Sequence, residues 1–333
     1  MARKSWFIKF IGIGIFVFIF AKIDFTNFIK IWKEISALFL FGAMLLMIIL
    51  IIAHGIKWKC ILQFFSVPVR FGESISIFWL GAFIGMVTPG KIGELLKIYF
   101  LDKTGHSRLR AFLSVILDRF TDLTSLALIG IISAFFVFKW KLNFVQCLLV
   151  IFLIGVVSFL GFSHKSRFYN VVQNFVNKFI PILSNSFKKL TYENILVKWK
   201  QADKSSLWLA LLLVLICWFV YFLSRYFLLV SLSIPLSFID MAACVSMSAL
   251  FTSLPVSING IGTREASFAY LFSFFGLTLE QAVAFSLIIL MSDAFTVTFG
   301  SISYYRLCSR FNLNLREDAA KVKESFLAIR DST

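Results

Sequence analysis

Leu254–Ala266 reads L-P-V-S-I-N-G-I-G-T-R-E-A and lies inside an otherwise apolar region, Phe238–Phe275. A proline, two glycines, an asparagine and an Arg–Glu pair stand where a membrane span would have its centre. Irregular backbone at that depth is tolerated only where protein or a watery cavity satisfies its polar groups. A second apolar region, Phe71–Leu101, is broken in the same way by V-T-P-G-K-I-G-E (Val87–Glu94). Both regions read as re-entrant helical hairpins.

Composition agrees with a membrane setting. Of the 333 residues, 59% are hydrophobic and 15% charged. An ordinary soluble domain has about 25% charged residues and too little volume to bury this much apolar surface. Six further stretches read as full spans: Trp6–Ala21, Ile35–Ile56, Ala111–Phe138, Leu142–Phe162, Leu207–Val230 and Gln281–Tyr304. The fold class expected is therefore an all-α polytopic membrane protein, with about six full spans plus two broken re-entrant hairpins.

Loop charge sets the expected sidedness. Arg3, Lys4 and Lys9 hold the N-terminus in the cytoplasm. Lys57, Lys59 and Arg70 precede the first break, and Lys97, Lys103, Arg108 and Arg110 follow it, so both flanks read as cytoplasmic. The flanks of the second break, Ser231–Asp240 and Gly276–Glu280, contain no Lys or Arg and read as external. Both termini are then cytoplasmic and the host is the cell membrane. Between spans, Phe168, Val171, Val172, Phe175, Val176, Phe179 and Ile180 mark one helical face of a basic amphipathic linker at 163–206. The expected organisation is a single transmembrane domain over 1–305, with repeat halves at about 71–138 and 238–304, and a cytoplasmic tail at 306–333.

The halves are related by a shift of 171 residues that carries Glu94 to Glu265, Gly105 to Gly276, Ala111 to Ala282 and Asp122 to Asp293. The span count between them gives the copies opposite directions, an inverted internal repeat of the kind transporters use. Asp122 lies about 18 Å along a helix from Arg110, and Asp293 about 20 Å from Glu280. Both therefore sit near the bilayer centre, where a charge costs roughly 2.5–3.5 kcal/mol. Asp118 shares a helix face with Asp122, and Arg119 reaches Asp122 at i+3.

Two readings of these charges stand side by side. In one, Glu94 and Glu265 anchor the hairpin turns to Arg119, Arg264 or backbone amides. In the other, Lys91, Glu94, Arg119, Asp122, Arg264, Glu265 and Asp293 line a hydrated substrate cavity. Turn residues Pro89, Gly90, Gly93, Pro255, Asn259, Gly260 and Gly262 would there present backbone N–H groups to a phosphate. Other chemistries are disfavoured. P-G-K-I-G-E lacks the spacing of a nucleotide loop. The five cysteines are scattered and the three histidines lie far apart, so no disulfide framework, metal site or nucleophile triad is visible and no cofactor is implied. The formal charge of +16 lies in membrane-flanking loops, which argues for lipid headgroups rather than nucleic acid.

Three strings, G-M-V-T-P-G-K-I-G-E-L-L-K (Gly85–Lys97), L-D-R-F-T-D (Leu117–Asp122) and Leu254–Ala266, resemble the lysylphosphatidylglycerol synthase transmembrane, or flippase-like, family. That resemblance covers the chain to about Tyr305 and implies a bacterial or archaeal multi-pass protein connected with lipid translocation. Some of the family's membrane halves are fused to aminoacyl- or glycosyltransferase domains. This sequence ends soon after its last span, so lysyl transfer does not carry over. The expected function is flippase-like transport of an anionic phospholipid or polyprenyl-phosphate-linked lipid across the cytoplasmic membrane. The alternative is a non-transporting membrane subunit that docks a soluble lipid-modifying transferase. An intramembrane transferase using Glu94 or Asp122 as a base ranks third. No feature specifies an oligomeric state.

Overall fold

A computed structural model describes residues 12–87, 94, 96–138, 203–253, 257 and 260–311. Among them are ten helices and no strands. They are α1 (Gly12–Phe20), α2 (Phe25–Lys33), α3 (Ala37–Phe64), α4 (Phe71–Val87), α5 (Leu96–Lys103), α6 (Arg108–Phe136), α7 (Lys204–Ser231), α8 (Phe238–Ser253), α9 (Thr263–Ser273) and α10 (Leu279–Phe311). The expected span Leu142–Phe162, most of the amphipathic linker and most of the tail lie outside the described residues. So do turn residues Pro89, Gly90, Lys91, Gly93, Pro255 and Asn259.

Three helices, α3, α7 and α10 from Leu279 to Ser303, are long and apolar enough to cross a membrane. The 28 residues of α3 and of α7 each reach about 42 Å, more than the ~30 Å hydrocarbon core needs. Phe41 and Leu45 on α3, and Leu212, Leu215 and Phe219 on α7, are exposed, which is the surface a lipid-facing helix presents. α6 is 29 residues long and carries Asp118, Arg119 and Asp122. The first span does not run straight on: α1 and α2 meet at 93°. Asp24 starts α2 by accepting from Thr26 N, and its own amide donates to Glu280 at the start of α10. Asp203 caps α7; donation from the Ser206 and Ser205 hydroxyls holds its carboxyl below the usual carboxylate range.

Helix α3 continues two turns beyond Ile56, where Lys57 makes the apolar stretch seem to end. Lys57 is fully buried and paired, so its charge does not stop the helix. Lys97 is likewise buried, within α5. Neither is a loop cation, and the basic flanks of the first break reduce to Lys59 and Arg70 on one side and Lys103, Arg108 and Arg110 on the other.

The packing of α3–α6 and α7–α10 follows a pairing. Exchanging α3 with α7, α4 with α8, α5 with α9 and α6 with α10 turns each principal contact among these eight helices into another one. The largest, α3 on α7, maps to itself; α4 on α10 maps to α8 on α6. Turn geometry follows the same pairing. Ser66 and Ser233 have φ 56° and 54°, the only described non-glycine residues in the left-handed region. Val67 N donates to Leu62 O, and Ile234 N to Leu229 O, 167 residues on. After the breaks the offset is 171: Gly105 and Gly276 hold φ 84° and 69°, and His106 N to Leu101 O repeats as Leu277 N to Phe272 O. Four extra residues in the second break account for the change. The 167 offset also aligns S-V-P-V-R-F (Ser66–Phe71) with S-I-P-L-S-F (Ser233–Phe238).

Candidate functional site: a charged cavity between the helix sets

A cavity of about 450 Å³ opens between the two helix sets. Glu94, Arg119, Asp122, Arg264 and Asp293 line it, five of the charged residues expected from sequence. Two more polar groups that sequence reasoning passed over, His54 and Arg225, line it as well. Glu265 does not. It is fully buried and accepts at 2.6 Å from Gly262 N, the N-cap amide of α9, and from the Ser286 hydroxyl. For Glu265 the anchoring geometry is the one present.

The wall built from α3, α5 and α6 is an ion lattice. Lys57 Nζ meets Asp118 at 2.9 Å and Asp122 at 2.5 Å. Lys97 Nζ meets Glu94 at 3.0 Å and Asp118 at 3.4 Å. Arg119 meets Glu94 at 2.8 Å, Asp118 at 3.2 Å and Asp122 at 3.3 Å. Three cations and three carboxylates thus balance, each with a partner at 3.0 Å or closer. Burying such charges is tolerable only with this degree of mutual pairing. Within the lattice Arg119 is the cation that shows a face to the cavity, 27% exposed against 0% for Lys57 and Lys97.

Helix α4 makes room for the lattice with two glycines one turn apart. A Cβ on Gly81 would fall 2.5 Å from the Lys97 stem, and one on Gly85 2.8 Å from Glu94 Cγ. Phe78, on the same helix, supports the Lys97 ammonium, which stands 4.0 Å from the ring centroid.

The facing wall, from α7, α9 and α10, is built differently. Arg225 Nη2 donates to Asp293 at 2.6 Å, and Arg264 Nη1 reaches the other oxygen of the same carboxylate at 3.5 Å. Arg225 also lies over Tyr221, 4.7 Å from its ring, and Arg264 Nε donates to Ser286 at 3.2 Å. Two guanidiniums share one carboxylate. Arg119 Nε on the opposite wall lacks a hydrogen-bond partner, and on this wall, among the described residues, so do Arg225 Nε and Nη1, Arg264 Nη2 and the Ser248 hydroxyl, with Tyr221 beside Arg225. An unmet buried donor costs about 1–3 kcal/mol, more when charged, so this wall holds donors ready for an acceptor.

The turn leading into α9 is fixed by close backbone approach. Gly262, at φ 84°, lies so near the Gly12 carbonyl of α1 that a Cβ would collide with it. Gly260, at φ 77°, packs on Thr252, and its carbonyl accepts from Arg264 N at 2.7 Å. Ser257, bonded to Thr263 at 2.8 Å, brings this turn to the cavity wall. No group of metal-ligating side chains occurs among the described residues.

Residues 6–300 match the lysylphosphatidylglycerol synthase TM region family. The chain belongs to that family. Relatives include UPF0104 membrane proteins of three archaea. The one from Methanocaldococcus jannaschii is 25% identical over 67% of this chain and 93% of its own length. That from Pyrococcus horikoshii is 22% identical over 86% and 91%, and that from Archaeoglobus fulgidus 24% over 85% and 91%. No solved structure matches. Family membership and the apolar helices together make this a membrane protein, as composition implied.

Proposed function

We propose that this member of the lysylphosphatidylglycerol synthase TM family is a flippase-like transporter. It passes the headgroup of an anionic phospholipid or polyprenyl-phosphate-linked lipid through the charged cavity while the tails stay in the bilayer. The observation that carries this reading is the Arg225–Arg264 wall, where buried guanidinium donors lack an acceptor that a phosphate supplies in the required geometry. Arg119 faces the same space, and Glu94, Asp122 and Asp293 hold these cations in place. Lys91 and turn residues Pro89, Gly90, Gly93, Pro255 and Asn259, which lie outside the described residues, belong to the proposed phosphate site on sequence grounds alone.

The exchange pairing of α3–α6 with α7–α10 supports an inverted repeat, in which two related breaks gate the cavity from opposite sides. Six spans, two hairpins, cytoplasmic termini and a place in the cytoplasmic membrane complete the proposal. The test is reconstitution of purified protein into liposomes that carry fluorescent phosphatidylglycerol in one leaflet. Transport predicts protein-dependent exposure of that lipid to a membrane-impermeant reductant. An unchanged protected fraction, beside an active control flippase, would overturn it and favour a docking subunit for a soluble transferase.

A further inference from the structure

The paired turns provide an internal control for charge. The Ser66 and Ser233 turns share a backbone, as do the Gly105 and Gly276 turns. The turn backbone by itself therefore does not require the charges. Yet the first copy carries Lys59, Arg70, Lys103, Arg108 and Arg110, and the matching positions of the second are Tyr226, Ser237, Phe274, Leu279 and Gln281. Five cations face none at equivalent sites. The second end does receive Lys22, Lys30 and Lys33 near α2, with Asp24 and Glu34, but from a separate element.

Some of the five have internal partners. Arg108 pairs with Asp102 at 2.6 Å, and Arg110 donates to Ser66 O at 3.0 Å, tying the two turns together. Lys59 and Arg70 have no carboxylate within ion-pair distance among the described residues. Both line a shallow groove of about 710 Å³, with Gln63, Ser66 and Pro68. Phe71, half exposed, stands beside it under the Lys59 ammonium at 5.8 Å. Lys59 lies five residues, about 8 Å, before the Phe64 end of α3 and close to the Ser66 turn, toward the end of the helix that meets the lipid–water interface. Cations beside an exposed phenylalanine at that depth match the lipid–water interface better than bulk water.

We propose that this groove binds the phosphate of an anionic membrane lipid, held by Lys59 and Arg70 from the leaflet on that side. It is a second lipid site, separate from the transport cavity and independent of whether the cavity transports. The second copy supplies the test substitutions, Lys59→Tyr and Arg70→Ser, which this turn geometry already accommodates. Wild type and double variant are compared by native mass spectrometry in detergent with equimolar phosphatidylglycerol and phosphatidylcholine of identical chains. The expected result is a preference for phosphatidylglycerol that falls roughly tenfold or more in the double variant. Lys59→Arg/Arg70→Lys should retain it. An unchanged preference in the Lys59→Tyr/Arg70→Ser protein, with its melting temperature intact, overturns the site. Displacement of the lipid by an equal concentration of glycerol phosphate overturns the lipid assignment and makes the groove a site for soluble anions.

Discussion

Arg225 and Asp293 form a 2.6 Å ion pair between α7 and α10, and Lys57 and Asp122 form a 2.5 Å pair between α3 and α6, the helices equivalent under the packing exchange. The aspartates match at the 171 offset, while the cations are 168 residues apart, one position out of the helix register. In both halves a long apolar helix thus supplies a cation to an aspartate of the second helix after the break. The halves differ in what surrounds the pair. Lys57 sits in a charge-balanced lattice, where Arg119 keeps one nitrogen without an acceptor, whereas Arg225 keeps two against a carboxylate it shares with Arg264.

Removing Arg225 therefore separates pairing from ligand binding. Arg225→Met removes the shorter of the two ion pairs to Asp293, keeps the 3.5 Å contact to Arg264, and should cost up to about 3–5 kcal/mol, the upper range for breaking a buried pair. Arg225→Met/Asp293→Leu should recover much of that stability by thermal unfolding in detergent. Its transport should remain absent. Transport restored along with stability would leave the pair a purely structural role.

Lys57 and Arg119 should respond differently, because only one shows a face to the cavity. Lys57→Met removes the shortest ion pair of both Asp118 and Asp122 and leaves them the longer contacts to Arg119 and, for Asp118, Lys97; its main effect should be a lower melting temperature and poor yield. Arg119→Gln leaves Lys57 and Lys97 to neutralise three carboxylates and keeps hydrogen-bonding capacity. It should fold with a smaller loss, while phosphatidylglycerol translocation falls at least tenfold. Equal melting losses and equal residual transport in the two variants would contradict this division.

The sequence makes some of this site legible and hides the rest for physical reasons. Asp122 and Asp293 stand out because a carboxylate in an apolar helix is costly. Lys57 and Lys97 carry the same cost, but each lies near the end of an apolar stretch, where a lysine ordinarily marks the membrane boundary. Arg225 was detectable: it interrupts Leu207–Val230 as plainly as Asp293 interrupts its own span, and no loop claims it. The S-V-P-V-R-F and S-I-P-L-S-F match is hidden at an offset of 171, because the second break absorbs four extra residues. Glu265 shows the opposite problem. Its charge drew attention, yet its oxygens are taken by Gly262 N and Ser286, a pairing that sequence spacing alone does not select over a ligand.

Glycine positions offer a test of the backbone geometry. Gly105 and Gly262 both have φ 84°; an alanine in the left-handed α region costs about 1–2 kcal/mol, and Gly262, with ψ −48°, lies outside even that region. A Cβ at Gly105 meets nothing within 4 Å, whereas at Gly262 it collides with the backbone of Gly12. Gly105→Ala should therefore lower stability by about that amount alone. Gly262→Ala should cost clearly more and should also shift α1 away from the α9 turn. Equal unfolding midpoints for the two variants would show that α1 does not press on this turn.

Sidedness of the first break is the remaining test, and the geometry makes it sharp. Arg110 donates to Ser66 O, so the turn before α4 and the turn after α5 lie at one end of the helix set. The proposed hairpin then has α4 and α5 entering and leaving the membrane from the same face. In a background with all five cysteines replaced by serine, Arg70→Cys and Lys103→Cys should react with a membrane-impermeant maleimide from one side of sealed vesicles. Ser237→Cys, at the equivalent turn of the inverted copy, should react from the other. The side that labels positions 70 and 103 should be cytoplasmic, because Lys59, Arg70, Lys103, Arg108 and Arg110 remain there after Lys57 and Lys97 are discounted. Opposite sidedness for positions 70 and 103 would make α4 and α5 a full crossing. Labelling of all three from one face would keep the hairpin but make the two halves a parallel repeat, and the cavity would then lack the paired gates that alternating access requires.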